Sequence, residues 1–421
     1  MNSFKSVKGM QDILPPDVHI WQRVEAAARE IFSTFGFQEI RTPVLEYTGI
    51  FTRSIGDTSD IVEKEMYTFE DKGERSVTMR PEGTASVVRS YVQHNLSHSL
   101  VPPQKFFYIG PMFRYERPQK GRLRQFHQIG VEAFGVHEPE MDAEVIAMLM
   151  RFLESLELGG LSLEINSIGC PDCRPSFREA LVEFFRPRAG ELCPDCVRRL
   201  EQNPLRVLDC KVPRCREVRQ GAPKVSGSLC ERCVSHYDGL KGSLDRLSIG
   251  FKETPEMVRG LDYYTRTTFE VTTTELGAQN AVAAGGRYDR LVSEFGGPDT
   301  PAFGFALGME RIVTLISEST SVEASRPDAY IASIGKEASA EALALAVSLR
   351  RNGLWVEHGY GASSLKSQMR KADKFRARYA VIIGEDELRD GVFSWKDMDG
   401  EASGRLDAKG IMDMLGNTSD G

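Results

Sequence analysis

Between residues 15 and 36, Ile20, Trp21, Val24, Ala27, Ala28, Ile31 and Phe35 recur at helical spacing, with Pro16 and Asp17 at the start and Gly36 where a helix stops. Four apolar runs then read as strands: FQEIRTPVLE, RSVTMRPE, KFFYIGPMFRYE and RQFHQIGVEAFG. Helical periodicity returns over 139–157, with Val145, Met148, Leu149, Phe152 and Leu156 on one side. The strands follow one another mostly without helices between them, which predicts an α+β fold with an antiparallel sheet rather than a βαβ array. After a Cys- and Arg-rich stretch interrupted by proline, strand signals resume at RGLDYYTRTTFEVTTTE, AVAAGGRYDRLVSEFGG and PAFGFALGMERIVTLI. The polar SESTSVEASRPD reads as a linker. Beyond it the order is strand (AYIASI), helix (338–351), strand (LWVEH), helix (363–374), strand (YAVIIGE), a small α/β domain with parallel pairing. The expected organisation is a sheet domain over 1–325, interrupted by an insertion over 170–245, and a second domain over 326–421.

Length agrees with this division: 421 residues allow two or three domains. The formal charge of -7 excludes a globally basic nucleic-acid coat, though a basic surface can still exist locally. No apolar run approaches the length that spans a bilayer, and MNSFKSVKGMQDILPPD has no apolar secretory core, so the expectation is a cytoplasmic protein without a membrane partner.

Cysteine changes the picture more. All eight lie between Cys170 and Cys233, in four close pairs: Cys170/Cys173, Cys193/Cys196, Cys210/Cys215 and Cys230/Cys233. In a cytosolic chain such clustering argues for metal or redox chemistry before disulfides. The first two pairs make C-x2-C-x19-C-x2-C and the last two C-x4-C-x14-C-x2-C, both compatible with zinc held by four thiolates. One or two structural zinc ions are expected. Spacing leaves open which pairs combine, and His236 is a spare candidate ligand.

The densest polar chemistry is in FRYERPQKGRLRQFHQIGVEAFG. A strand over 106–116 would put Arg114 and Glu116 on one face, and the return strand would put Gln128 and Glu132 on one face. Between them Arg117, Lys120, Arg122 and Arg124 surround Gly121 with no acid among them, a hairpin loop suited to phosphates. A row of buried polar groups is costly unless partnered, so a polar ligand is the natural explanation; a solvated sheet face is the plain alternative. Arg259 stands just before Tyr263 and Tyr264 at the mouth of a strand, where one ring would pack inward and the other would be free for a ligand. In GFALGMER, Arg311 lies near a helix start. Arginines 114, 259 and 311 opening on one site would suit a polyphosphate.

Together FRYERPQKGRLRQFHQIGVE, RGLDYYTRTTFE, AGGRYD and GFALGMER resemble the histidyl-tRNA synthetase family of class II aminoacyl-tRNA synthetases. The first segment resembles motif 2 of that class and the last motif 3. FGFQEIRTPVLE, with Pro43, resembles motif 1, which builds a dimer interface; GASSLKSQMRKADKFRARYAVIIGEDE is similar to the family's anticodon-binding domain. The resemblance implies a class II catalytic sheet that joins histidine to its tRNA through a histidyl-adenylate, with ATP and Mg²⁺ required and a homodimer as the working form. It implies that Arg114 contacts the α-phosphate and the amino-acid carboxylate, Arg259 the α-phosphate from the other side, and Arg311 the γ-phosphate. Glu116 would accept from the adenine amino group, with Arg122 and Phe126 also at the ATP site. Glu82, Thr84, Gln128, Glu132, Tyr263 and Tyr264, with Arg114 and Arg259, would line the histidine pocket.

For tRNA the expected contacts are Arg117, Gln119 and Lys120 in the hairpin loop, and Lys366, Arg370 and Lys374 along one face of a C-terminal helix. Residues 170–240 carry thirteen Lys and Arg against ten Asp and Glu and are a further basic surface. The main alternative is a histidine-sensing regulatory relative of ATP phosphoribosyltransferase. Such relatives generally lose parts of the ATP site and the C-terminal domain, whereas Arg114, Glu116, Arg311 and that domain are present here. A zinc-ribbon nucleic-acid module would account only for 170–233.

Overall fold

The helix expected near the N-terminus runs over Asp17–Thr34 and buries Ile20, Trp21, Val24, Ala28, Ile31 and Phe32. It ends at Gly36, whose positive φ of 80° lets the Phe37 amide turn back onto the Phe32 carbonyl at 3.0 Å. The computed structural model describes residues 4–56, 59–119, 121–258, 260–275, 280–319, 326–361 and 363–416. It divides into two units, Met1–Val322 and Glu323–Gly421, and the division falls inside the polar stretch read as a linker. Linker residues 320–325 lie outside the described residues.

In chain order the strands of the first unit are β1 (Gln38–Glu39), β2 (Leu45–Tyr47), β3 (Tyr67–Glu70), β4 (Ser76–Met79), β5 (Gln104–Phe113), β6 (Gln125–Phe134), β7 (Leu161–Ser167), β8 (Phe251–Glu253), β9 (Thr265–Thr273), β10 (Ala281–Arg287) and β11 (Ala302–Gly308). Eight of them form the main sheet in the order β1-β5-β6-β11-β10-β9-β7-β8, antiparallel throughout except for the edge pairs β1/β5 and β7/β8. The run 37–46, expected as one strand, is broken: β1 joins the main sheet and β2 joins a separate sheet of order β2-β4-β3. Pro43 lies in the break, and a proline cannot serve a continuous ladder.

Alternation along the central strands decides what each face does. Ile129, Val131 and Ala133 of β6, with Phe303 and Phe305 of β11, enter a core shared with helices Asp17–Thr34 and Pro139–Ser155. Gln128 and Glu132, one residue out of phase, point to the opposite face. The insertion leaves the sheet after β7 and returns at β8, its parallel neighbour. It holds helices Arg174–Phe185, Pro194–Gln202, Pro213–Val218 and Glu231–Arg246, with its own core around Phe177, Leu181, Phe185 and Val207.

In the second unit the strands are β12 (Ala329–Ser333), β13 (Val356–His358), β14 (Tyr379–Ile383), β15 (Phe393–Asp397) and β16 (Ser403–Leu406), in the order β13-β12-β14-β15-β16. Parallel pairing of β12 with β13 and β14 agrees with the expected alternation, as do helices Lys336–Arg351 and Leu365–Lys374. The antiparallel β15 and β16 and the helix Ala408–Gly416 carried no strong sequence signal.

Candidate active site

A cavity of about 300 Å³ opens on the sheet face opposite the helical core. It is lined by Glu82, Thr84, Arg114, Glu116, Arg122, Phe126, Gln128, Glu132, Tyr263, Tyr264 and Arg311, so the candidate ATP- and histidine-site residues that are described converge on one place. Arg259 and Lys120 lie outside the described residues.

Two buried carboxyl groups form its acidic end. Glu132, 1% exposed, accepts from the Thr84 hydroxyl at 2.7 Å (on Oε1) and from the Tyr288 phenol (on Oε2). Burial pushes its pKa from the ordinary 4.5 up to about 8, against the pull of those two donors and with a push from nearby Glu82. Glu82, 4% exposed, accepts from the backbone amides of Thr84 at 2.7 Å and Ala85 at 2.9 Å, donors at the start of the Thr84–Gln93 helix that have no partner within it. Burial raises its pKa too. The RPEGT turn therefore serves twice, as a helix start and as a cavity wall. Gln128 adds an Oε1 that is buried without a hydrogen-bond partner among the described residues, as an acceptor waiting for a ligand donor would be.

Close approach of β11 to Glu132 depends on Gly304, which stands opposite it in the register. A Cβ there would lie 2.2 Å from Glu132 Oε2 and 2.3 Å from the Val131 carbonyl oxygen.

The cationic end is built from the hairpin between β5 and β6. The strand reading through residue 116 is incorrect: β5 ends at Phe113. Arg114 and Glu116 reach the cavity from the loop instead, held by the Arg114 amide on the Arg124 carbonyl at 2.9 Å and the Tyr115 amide on the Glu65 carbonyl at 2.7 Å. Arg114 donates from Nε to the Pro81 carbonyl at 2.9 Å and lies 5.1 Å from the Phe126 ring centroid. Nor is the loop's positive charge unopposed: Arg122 pairs with Glu116 at 2.9 Å. Arg117 and Gln119 are exposed. Arg311 sits in the first turn of the Met309–Ser319 helix and donates to the Ala281 carbonyl; burial lowers its pKa, and Arg122 adds to that.

Tyr263 and Tyr264 do not alternate. They precede β9, in and just after a turn, so the period of a strand does not govern them, and both rings are buried, line the cavity and stand 4.7 Å apart. Tyr288 and Glu310 were not singled out from sequence. Tyr288 lies within AGGRYD and orients Glu132. Glu310 lies within GMER, lines the cavity and accepts from the His127 amide at 2.8 Å. Neighbouring Arg287 is fully buried between Asp142 and Asp289, at 2.9 Å from each, and braces the sheet away from the cavity.

Comparison with known proteins gives the family. The family model described as Histidyl-tRNA synthetase matches residues 9–172 and 225–312, and a second, described as Anticodon binding domain, matches 328–418. The chain belongs to the histidyl-tRNA synthetase family. Among its relatives, the histidine–tRNA ligase of Thermodesulfovibrio yellowstonii is 53% identical over 412 residues, 98% of each chain. That of Geobacter sulfurreducens is 56% identical over 393 residues, 93% of this chain and 94% of the other. A crystal structure of apo S. aureus histidyl-tRNA synthetase superposes with a TM-score of 0.84 at 36% identity, covering 98% of this chain and all of that one. The first family match skips 173–224, which places most of the cysteine-rich insertion outside the part of the synthetase family that the model describes.

The cysteines meet as two groups of four, Cys170, Cys173, Cys230 and Cys233 in one and Cys193, Cys196, Cys210 and Cys215 in the other, so the first pair combines with the last and the two middle pairs with each other. His236 belongs to neither group. It is buried 3.6 Å from Asp142, and burial lowers its pKa to about 3.

Proposed function

We propose that the chain is a histidine–tRNA ligase that activates L-histidine with ATP and passes it to tRNA(His). The observation that carries this reading is the cavity itself: two buried carboxyls and an unpartnered amide oxygen at one end, arginines at the other. A buried Glu82/Gln128/Glu132 cradle suits the N–H donors of an imidazole and an α-amino group, and a competitor without those donors would leave the cradle unsatisfied. Arg114 suits the α-phosphate and the amino-acid carboxylate, and Arg311 suits the γ-phosphate; Arg259 would be a second guanidinium for the α-phosphate. The carboxylate of histidine attacks the α-phosphorus, forming a C–O–P linkage and releasing pyrophosphate. A terminal ribose hydroxyl of tRNA then attacks the activated carbonyl, and AMP leaves. Charge spreads over phosphate oxygens in the first step, so positioned guanidinium groups supply most of the catalysis. Mg²⁺ bound with ATP would add positive charge there; Glu270 and Glu310, which line the cavity with Arg311, are the carboxylates that would hold it.

The second unit would read the tRNA anticodon, with Lys366, Arg370 and Lys374 exposed along the Leu365–Lys374 helix. Arg117, Gln119 and Lys120 would meet its acceptor end. A homodimer is supported by Leu45, Tyr47 and Phe69, large apolar residues exposed together on one face of the small sheet, where Tyr47 and Phe69 flank Val77. No described helix is long and apolar enough to cross a membrane, and a ligase that charges tRNA works where tRNA is translated, which makes the cytoplasm its compartment in this reading. Thiolate-bound zinc would be a structural cofactor, since none of the cysteines lines the cavity.

Histidine-dependent exchange of pyrophosphate into ATP tests the reading. The ligase shows exchange that requires histidine; a histidine-sensing regulatory relative binds histidine and shows none.

A further inference from the structure

None of the eight cysteines lines the cavity, yet their sulfurs are arranged as ligands are. In the outer group the Cys170–Cys173, Cys170–Cys230 and Cys173–Cys233 sulfur distances are 3.6, 3.9 and 3.7 Å; in the inner group Cys193 and Cys210 stand 3.9 Å apart. All sulfurs of each group lie within 4.8 Å of one another. Disulfide sulfurs would be about 2.05 Å apart. Two thiolates on one tetrahedral zinc, with bonds of about 2.3 Å, stand about 3.8 Å apart. Backbone amides face two of the sulfurs as well. The Cys230 amide donates to Cys173 Sγ at 3.1 Å and the Cys193 amide to Cys215 Sγ at 3.2 Å. Cys173, Cys193 and Cys230 each cap the N-terminus of a helix of nine residues or more, where the backbone dipole favours negative charge.

We propose that the chain binds two structural zinc ions in a nested arrangement, an inner one on Cys193, Cys196, Cys210 and Cys215 and an outer one on Cys170, Cys173, Cys230 and Cys233, and that the outer ion braces one wall of the cavity. Four soft sulfur ligands in a tetrahedral cage select zinc over the oxygen-seeking Mg²⁺ and Ca²⁺. The outer ion ties the chain just past β7 to the start of the Glu231–Arg246 helix, closing the insertion at its base. Arg174, next to Cys173, donates to the Tyr264 carbonyl oxygen. From the inner lobe, Asn203 Nδ2 at 3.0 Å and Arg206 Nη2 at 2.9 Å donate to Asp262 Oδ1, one residue before Tyr263. The metal-held insertion thus grips the tyrosine segment from behind. The bracing half of the proposal rests on reading Tyr263 and Tyr264 as the histidine pocket; the metal half does not.

Metal analysis of the full chain purified without chelator is expected to give two zinc ions per chain. Cys193→Ser with Cys210→Ser removes one, and Cys170→Ser with Cys230→Ser removes the other. Cys230→His, which keeps a ligand in place, retains both. Cobalt(II) substituted for zinc shows the visible absorption of tetrahedral thiolate coordination. Arg174→Ala keeps both ions but raises KM for histidine about tenfold, with KM for ATP unchanged, because it shifts the wall and leaves the phosphate side alone. Less than one zinc per chain, iron in its place, or a serine pair that removes both ions or neither overturns the metal assignment. An unchanged histidine KM in Arg174→Ala overturns the brace. A protein that holds two zinc ions but lacks exchange counts against the ligase reading and leaves the metal sites standing.

Discussion

Glu132 concentrates the tension of the cavity in one side chain. Buried among a threonine, a tyrosine and a second carboxyl, it holds its proton to about pH 8. The unfolded chain gives that proton up near the ordinary value of 4.5, so between those two pH values the folded state binds more protons and stability falls as pH rises. Thermal melting of the ligand-free protein should therefore decline between pH 5 and 8 more steeply than that of Glu132→Gln; parallel curves would rule this out. The same carboxyl, partnered by a donor from histidine, should be hard to replace. Glu132→Ala is expected to lower kcat/KM for histidine in pyrophosphate exchange by about 10²–10³-fold, the scale of losing one polar contact on which the transition state depends. Near wild-type exchange would remove Glu132 from the site. That Gln128 and Glu132 share a face was legible from their spacing, because a strand has a fixed period. What Tyr288 does was not, because it reaches Glu132 from 156 residues away, and nothing local in AGGRYD points there.

At the scale of elements, geometry carries the site where spacing alone would have misplaced it. Arg114 and Glu116 were expected side by side on a strand, yet both reach the cavity from a loop pinned at Glu65 and Arg124. Tyr263 and Tyr264 escape alternation for the same reason, since period two holds only while the ladder does. Conversely, β11 can approach β6 only because Gly304 lacks a side chain. Gly304→Ala should displace Glu132, abolish histidine-dependent exchange and lower stability by about 1–3 kcal/mol, the usual cost of overpacking. A variant with normal exchange would show that the strands can part without harm. On the Leu365–Lys374 helix, replacing Lys366, Arg370 and Lys374 by alanine should raise KM for tRNA, flatten the salt dependence of charging and leave pyrophosphate exchange unchanged. Equal loss in both assays would mean a folding defect.

For the whole molecule, the order of elements was readable wherever helices and strands are long and periodic. The class of the fold and the alternating second unit followed from that. Less legible were the short pieces, β2, β3, β15 and β16, whose three to five residues are set by pairing partners elsewhere in the chain. The small sheet, built from two such pieces and β4, exposes Leu45, Tyr47 and Phe69. Tyr47→Asp combined with Phe69→Asp should convert a dimer into monomers in light scattering after size exclusion; an unchanged mass would place the subunit contact elsewhere. Cysteine pairing was undecided in sequence because spacing permits several combinations, and the fold chooses the one that closes a loop within a loop. A ribosome delivers these thiols in a fixed sequence. The inner four are complete once Cys215 has emerged, whereas the outer four must wait for Cys233. The small lobe can therefore gather its four sulfurs before its base does, while β8 to β11 of the large sheet are still to be made, so synthesis itself sets the order in which the insertion can close.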